Sequence, residues 1–193
     1  MDKIIPFDYL LTNLFSKIIP HNIFFDYFFS FFSLKGSSIF IWILTIVLIV
    51  VLEERKNPGI SIRDKKFVLV FFGSFIFTFY IADIFLKNFF RRPRPYLLLQ
   101  TIHSNLITSG ICPVDFSFPS AHAATAFAAA GILTHYDKKR KLLYYIIAIL
   151  ISYSRIYLGC HYFFDVVIGT IIGYIISRLF LFVLGTFPFR RKS

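Results

Sequence analysis

Residues Ser154 to Asp165 read SRIYLGCHYFFD. The stretch sets a cation, a candidate nucleophile and a carboxylate at the junction of two apolar runs, with Arg155 closing one and Asp165 just inside the next. Ionisable groups at such depth cost roughly 2.5–3.5 kcal/mol each on insertion scales, so by default they mark a functional site. Gly159 suits a left-handed cap at the end of the first run, which would turn the chain and bring Arg155 back towards His161. His161 and Asp165 are four apart, so on a helix they share a face. A carboxylate on one imidazole nitrogen fixes the tautomer and leaves the other nitrogen free as nucleophile or base. The plain alternative is a structural His–Asp pair.

The surrounding composition explains why that junction is unusual. Of the 193 residues, 57% are hydrophobic, and the 27 phenylalanines exceed what a soluble core of this size could enclose. The expectation is one membrane-embedded domain over residues 1–193. A formal net charge of +11 could suggest nucleic acid, but Lys and Arg sit in short clusters between apolar spans. That pattern fits topology signals and anionic headgroups, so no nucleic-acid partner is expected. The N-terminus lacks the basic start and small-residue cleavage site of a signal peptide. Cys112 and Cys160 are too few for a disulfide framework or a zinc site. A disulfide between them stays open in an oxidising compartment, since the sequence provides no distance.

Residues Ile4 to Leu34 are apolar but interrupted by Pro6, Asp8, Lys17, Pro20, His21 and Asp26. A span needs about 20 mostly apolar residues, so region 1–35 reads as two short interfacial helices, with a sixth span as the alternative. Five spans follow: Ser38 to Leu52, Phe67 to Leu86, one beginning near Pro119, Leu142 to about Leu158, and about His161 to Leu184. Trp42 reads as an ordinary membrane residue. The fold class is therefore an all-α polytopic bundle of five spans plus N-terminal interfacial helices, or of six spans, with a core over residues 66–185.

Charge sets the topology. Arg55, Lys56, Arg63, Lys65 and Lys66, then Lys138, Lys139, Arg140 and Lys141, then Arg190, Arg191 and Lys192 fall on one side, which the positive-inside rule makes cytoplasmic. The other side holds Lys87, Arg91, Arg92, Arg94, His122, Arg155 and His161. Cations on the disfavoured side need a local reason, and a bound anion supplies one.

Three polar clusters thus meet at the outer face. KNFFRRPRP, from Lys87, is either a headgroup-contacting patch or a set of cations whose direction the two prolines fix. PSAH, from Pro119, is either a plain N-cap on Ser120 or a helix start whose amides and dipole bind phosphate, with His122 as proton donor. The third is the stretch quoted above. No cluster of carboxylates is expected at the site, which argues against Mg²⁺ dependence. Gly169 and Gly173 form a small-xxx-small pattern suited to packing within the bundle. Arg91 and Arg92 could meet a second phosphate, a sugar or headgroups, and His103 is assigned nothing.

The motifs Lys87-x6-Arg94-Pro95, Pro119-Ser120-Ala121-His122 and Ser154-Arg155-x5-His161-x3-Asp165 resemble the signature of the type 2 phosphatidic acid phosphatase family. With their helices they cover roughly residues 66 to 185. Ala121 stands where the family commonly has Gly, and its backbone N–H remains available. The resemblance implies a metal-independent hydrolase without cofactors. His161 would attack phosphorus, Asp165 would orient it, and His122 would protonate the leaving oxygen and then activate water against a phosphohistidine. Lys87, Arg94, Ser120, Ala121 and Arg155 would hold the phosphoryl oxygens. It also implies a multi-pass protein of the cell (inner or plasma) membrane, its site facing periplasm or exterior and its C-terminus cytoplasmic.

The implied partner is a lipid phosphate or diphosphate amid membrane lipids: undecaprenyl diphosphate, phosphatidylglycerophosphate, phosphatidic acid or lipid A phosphate. The sequence does not choose among these and sets no oligomeric state. A vanadate-binding haloperoxidase is disfavoured by the spans. A non-catalytic lipid binder or transporter that kept the fold is disfavoured by the joint presence of His122, His161 and Asp165.

Overall fold

The alanine-rich stretch after Pro119 folds into the helix around which the others pack. In the computed structural model, which describes residues 4–33, 37–54, 65–95 and 112–185, all regular structure is helical. The helices are α1 (Ile4–Ser16), α2 (Ile23–Ser33), α3 (Ser37–Glu54), α4 (Lys65–Phe79), α5 (Ala121–Tyr136), α6 (Lys141–Tyr157) and α7 (Phe163–Gly185). α4 runs on without a break through a π-helical stretch, Tyr80–Leu86, into a last α-turn, Lys87–Phe90. The expected spans match these helices to within a few residues. The polar turn with Arg55, Lys56 and Arg63, the loop with His103 and Gly110, and the tail with Arg190, Arg191 and Lys192 lie outside the described residues.

α5 is central because its side chains are small on every face. Ala123, Ala124, Ala126, Ala128 and Ala130 have no exposed surface, and α4, α6 and α7 all pack against them. α7 approaches most closely. A Cβ added to Gly173 would overlap the carbonyl of Ala124, and one added to Gly169 would press on the carbonyl of Ser120. The small-xxx-small pattern therefore serves packing inside the bundle. Gly173→Ala is expected to lower stability by about 1–3 kcal/mol through overpacking, read as a fall in melting temperature in detergent at unchanged KM. An unshifted melting curve would mean that the two backbones do not meet.

Large side chains point the other way. Ile171, Ile175, Leu179, Phe182 and Val183 of α7, like Leu69, Ile76 and Phe85 along α4, are exposed. A surface this apolar belongs against lipid. Among the described residues, two helical stretches are long and apolar enough to cross a membrane, the 24-residue Phe67–Phe90 and the 22-residue Phe163–Leu184. Trp42 is fully buried in the main apolar core with Phe71 and Ile132.

The N-terminal helices pack against the rest of the bundle. α1 packs on α6 and α7, and α2 on α6. Asp8, on α1, is only 1% exposed. Its Oδ1 accepts the amide of Phe164 at 3.0 Å, and Thr12 Oγ1 accepts that of Phe163 at 2.9 Å. A helix start leaves its first amides without intrahelical acceptors. α1 thus supplies, from a distant part of the chain, the N-terminal cap of α7.

Candidate active site

The turn between α6 and α7 is built by its own backbone. Gly159 takes a φ of 68°, a left-handed conformation that side chains disfavour, and the amides of Cys160 and His161 return to the carbonyl of Arg155 at 3.0 and 3.1 Å. Cys160 is bonded to Cys112, which resolves the open question of their pairing and ties the segment around Asp115 to this turn. His161 therefore lies in the turn, two residues before α7 begins, and not on a helix with Asp165 as the four-residue spacing suggested. The two side chains still meet, because Asp165 sits in the first turn of α7: Nδ1 of His161 is 3.5 Å from Oδ2 of Asp165. That is ion-pair range and longer than a hydrogen bond.

The other imidazole nitrogen, Nε2, faces Arg94 Nη1 at 3.1 Å. A guanidinium can only donate, so Nε2 carries a lone pair and Nδ1 carries the proton that faces Asp165. Burial, then the positive charges of Arg94, Arg155, Lys87 and His122, hold the His161 ring well below the ordinary imidazole range. The ring is neutral at pH 7, with its free electron pair directed at a cation.

A cavity of about 530 Å³ opens beside it. Its lining includes Lys87, Arg94, Ala121, His122 and His161 together with the apolar Ile39, Phe75 and Phe79. Ala121 and His122 form the start of α5. Ser120 caps that start conventionally: its hydroxyl accepts the Ala123 amide at 3.4 Å, and its own amide donates to the Asp165 carbonyl at 2.9 Å. Ser120, Arg155 and Asp165 stand behind the cavity wall rather than on it. Arg155 is fully buried and donates through Nη1 to the carbonyl of Ser33 at 2.8 Å and to the Ser33 hydroxyl. Its Nε and Nη2 are buried without a hydrogen-bond partner among the described residues.

Several groups were missed by sequence reasoning. Two carboxylates not singled out in the sequence line the cavity: Asp83 bonds Lys87, and Asp115 bonds Lys87 at 2.6 Å and also Arg94. Asp83 could have been found, since it precedes Lys87 by four residues within a helix; Asp115, in a loop, had no local signal. Burial alone would raise the Asp115 carboxyl, but the Lys87 hydrogen bond and the charges of Lys87 and Arg94 hold it below the usual carboxylate range. Both carboxylates are therefore taken up by cations that the sequence assigned to phosphate. Arg92 is turned inward against Asp165 and Asp8, not towards headgroups, whereas Arg91 is exposed.

This arrangement has relatives. The family model of the PAP2 superfamily matches residues 67–187. The lipid A 4'-phosphatase of Bacteroides thetaiotaomicron is 32% identical over 181 residues, covering 90% of this chain and 76% of that protein. The undecaprenyl-diphosphatase of Sulfolobus acidocaldarius is 28% identical over 153 residues, covering 79% of this chain and 68% of that one. Among solved structures, the crystal structure of Aquifex aeolicus LpxE superposes with a TM-score of 0.61 at 30% identity, covering 90% of this chain and 93% of that chain. With all three motifs inside the matched stretch, the chain belongs to the PAP2 superfamily and is a phosphoric ester hydrolase.

Proposed function

We propose that this protein removes phosphate from a membrane lipid phosphate or diphosphate at the outer face of the cell membrane, through a phosphohistidine on His161. The observation that carries the reading is His161 itself, an imidazole whose Nε2 lone pair faces Arg94 in the lining of a cavity shared with Lys87 and His122 and with the apolar Ile39, Phe75 and Phe79. A phosphoryl group at Lys87 and Arg94 would place its lipid moiety towards Ile39, Phe75 and Phe79. Nε2 then attacks phosphorus, and His122 protonates the departing oxygen. In the second step His122 takes a proton from water, whose oxygen attacks phosphorus as the P–N bond breaks. The entering phosphoryl group competes with the Asp115 carboxylate for Lys87 and Arg94. Positioning and charge stabilisation supply most of the catalysis in phosphoryl transfer, and these cations can do both.

Orientation follows from two supports. α5 is 16 residues long, about 24 Å at helical rise, and it carries the basic turn Lys138–Arg140 at the end away from the site. The Cys112–Cys160 bond beside His161 belongs in an oxidising compartment. Both favour a site facing periplasm or exterior in a bundle of five or six spans, with a cytoplasmic C-terminus. Undecaprenyl diphosphate and lipid A phosphate, substrates in the names of the relatives, lead the substrate candidates, with phosphatidylglycerophosphate and phosphatidic acid beside them.

The test is release of inorganic phosphate from that panel by purified protein in detergent, with and without EDTA. At least one lipid is expected to be hydrolysed, at a rate unchanged in excess chelator. Loss of activity in EDTA that Mg²⁺ restores would overturn the metal-independent mechanism. No release from any of them would overturn the substrate class.

A further inference from the structure

Arg92 joins two buried carboxylates from opposite ends of the sequence. Nη1 donates to Asp165 Oδ1 and Nη2 to Asp8 Oδ2, each at 2.7 Å, and the guanidinium carbon lies 3.9 Å from the centroid of the Tyr162 ring. Asp165 has no exposed surface and Asp8 almost none. The two oxygens of Asp165 therefore have separate partners: Oδ1 is held by Arg92, while Oδ2 accepts the Tyr162 amide at 3.0 Å and faces His161 Nδ1. A carboxylate this deep keeps its charge and its rotamer only beside a cation with matching geometry. A planar guanidinium with two forks can serve Asp165 and Asp8 together, which an ammonium cannot. Asp8 in turn is held by the Phe164 amide, one residue before Asp165.

We propose that Arg92 and Asp8 are positioning residues for the His161–Asp165 pair, so that α1, which lies outside the stretch matched by the family model, completes the active site. Arg92 fixes the charge and direction of Asp165, and Asp8 fixes Arg92. The inference rests on the reading of His161 and Asp165 as the catalytic pair.

The experiment is a double-mutant cycle on phosphate release, combining Arg92→Gln with Asp165→Asn, and Asp8→Asn with Asp165→Asn. Each single change at Arg92 or Asp8 is expected to lower kcat about 10–100-fold, the range for removing an outer partner of a functional histidine, with KM unchanged. In the Asp165→Asn background neither change is expected to lower kcat further, because the effect travels through Asp165. Arg92→Lys is expected to recover part of the loss, since it keeps the charge but not the fork. Asp8→Asn keeps an oxygen for the Phe164 amide and so separates the charge from the cap should Arg92→Gln fail to fold. Losses that multiply independently of Asp165, a rise in KM alone, or full activity in both variants would each overturn the inference. If Asp165→Asn itself matches wild type, the catalytic pair falls; if Asp165→Asn is impaired while Asp8 and Arg92 variants are not, only the positioning role falls.

Discussion

Replacing His161 by alanine is expected to remove phosphate release from every lipid the wild-type protein hydrolyses, a fall of at least about 10⁴-fold in kcat, on the scale seen when a nucleophile is deleted from a catalytic unit. The size follows from the geometry. His161 is the buried imidazole of the cavity lining, with its Nε2 lone pair facing Arg94, and burial and neighbouring cations favour its neutral form. His122 lines the same cavity from α5, but in the proposed sequence it serves as the proton carrier and cannot also attack. The substitution is gentle on the fold, because the turn is held by the Cys160 and His161 amides on the Arg155 carbonyl and by the neighbouring disulfide. A matched elution profile in detergent would establish that. Equal release by both proteins would remove the nucleophile assignment and revive the reading of a lipid binder or transporter.

Arg155→Met should separate activity from stability. The guanidinium has no exposed surface and only Nη1 is bonded, to Ser33. Two further buried N–H sites, Nε and Nη2, have no hydrogen-bond partner among the described residues. A buried cation so placed costs several kcal/mol, and exchange for an apolar side chain of similar volume is often neutral or stabilising. Without substrate, the melting temperature is therefore expected not to fall. Activity should fall, because the positive charge behind the cavity wall would support the developing negative charge in the proposed mechanism; about 10²–10³-fold is the usual scale for removing one such stabilising group. Arg155→Lys should not restore it, because an ammonium lacks the planar fork that bonds Ser33 through Nη1 and holds Nε and Nη2 in fixed directions. Retained activity in the methionine variant, or a collapse of stability matching the loss of activity, would show that the residue is structural.

The helix positions were legible because apolar runs between charge clusters leave little freedom in where a long apolar helix starts and stops. The site was legible at Lys87, Arg94, His122 and His161 because three spaced motifs carry it. Local rules reached no further. The pairing of His161 with Asp165 was expected from helical spacing, yet His161 lies in a turn, and the contact comes from a carboxylate at the next helix start. Ser120 was read both as a cap and as a phosphate ligand, and its hydroxyl accepts the Ala123 amide as a cap. Asp115 takes the cations assigned to phosphate from a loop with no periodicity. Asp8 satisfied the criterion that singled out Arg155, an ionisable group within an apolar run, but its partner lies 84 residues away, and no local pattern encodes such a distance.

The clasp of α1 on the start of α7 also bears on how the protein is made. Asp8 and Thr12 leave the ribosome early, and the amides that they cap follow 156 and 151 residues later. Until that last hydrophobic helix is synthesised and inserted, Asp8 has neither Phe164 to bind nor Asp165 to share Arg92 with. The turn before α7 is thus completed only once α1 and α7 meet. A prematurely terminated product lacking α7 holds Lys87, Arg94 and His122 without the clasp, and on the proposed mechanism it is expected to be inactive.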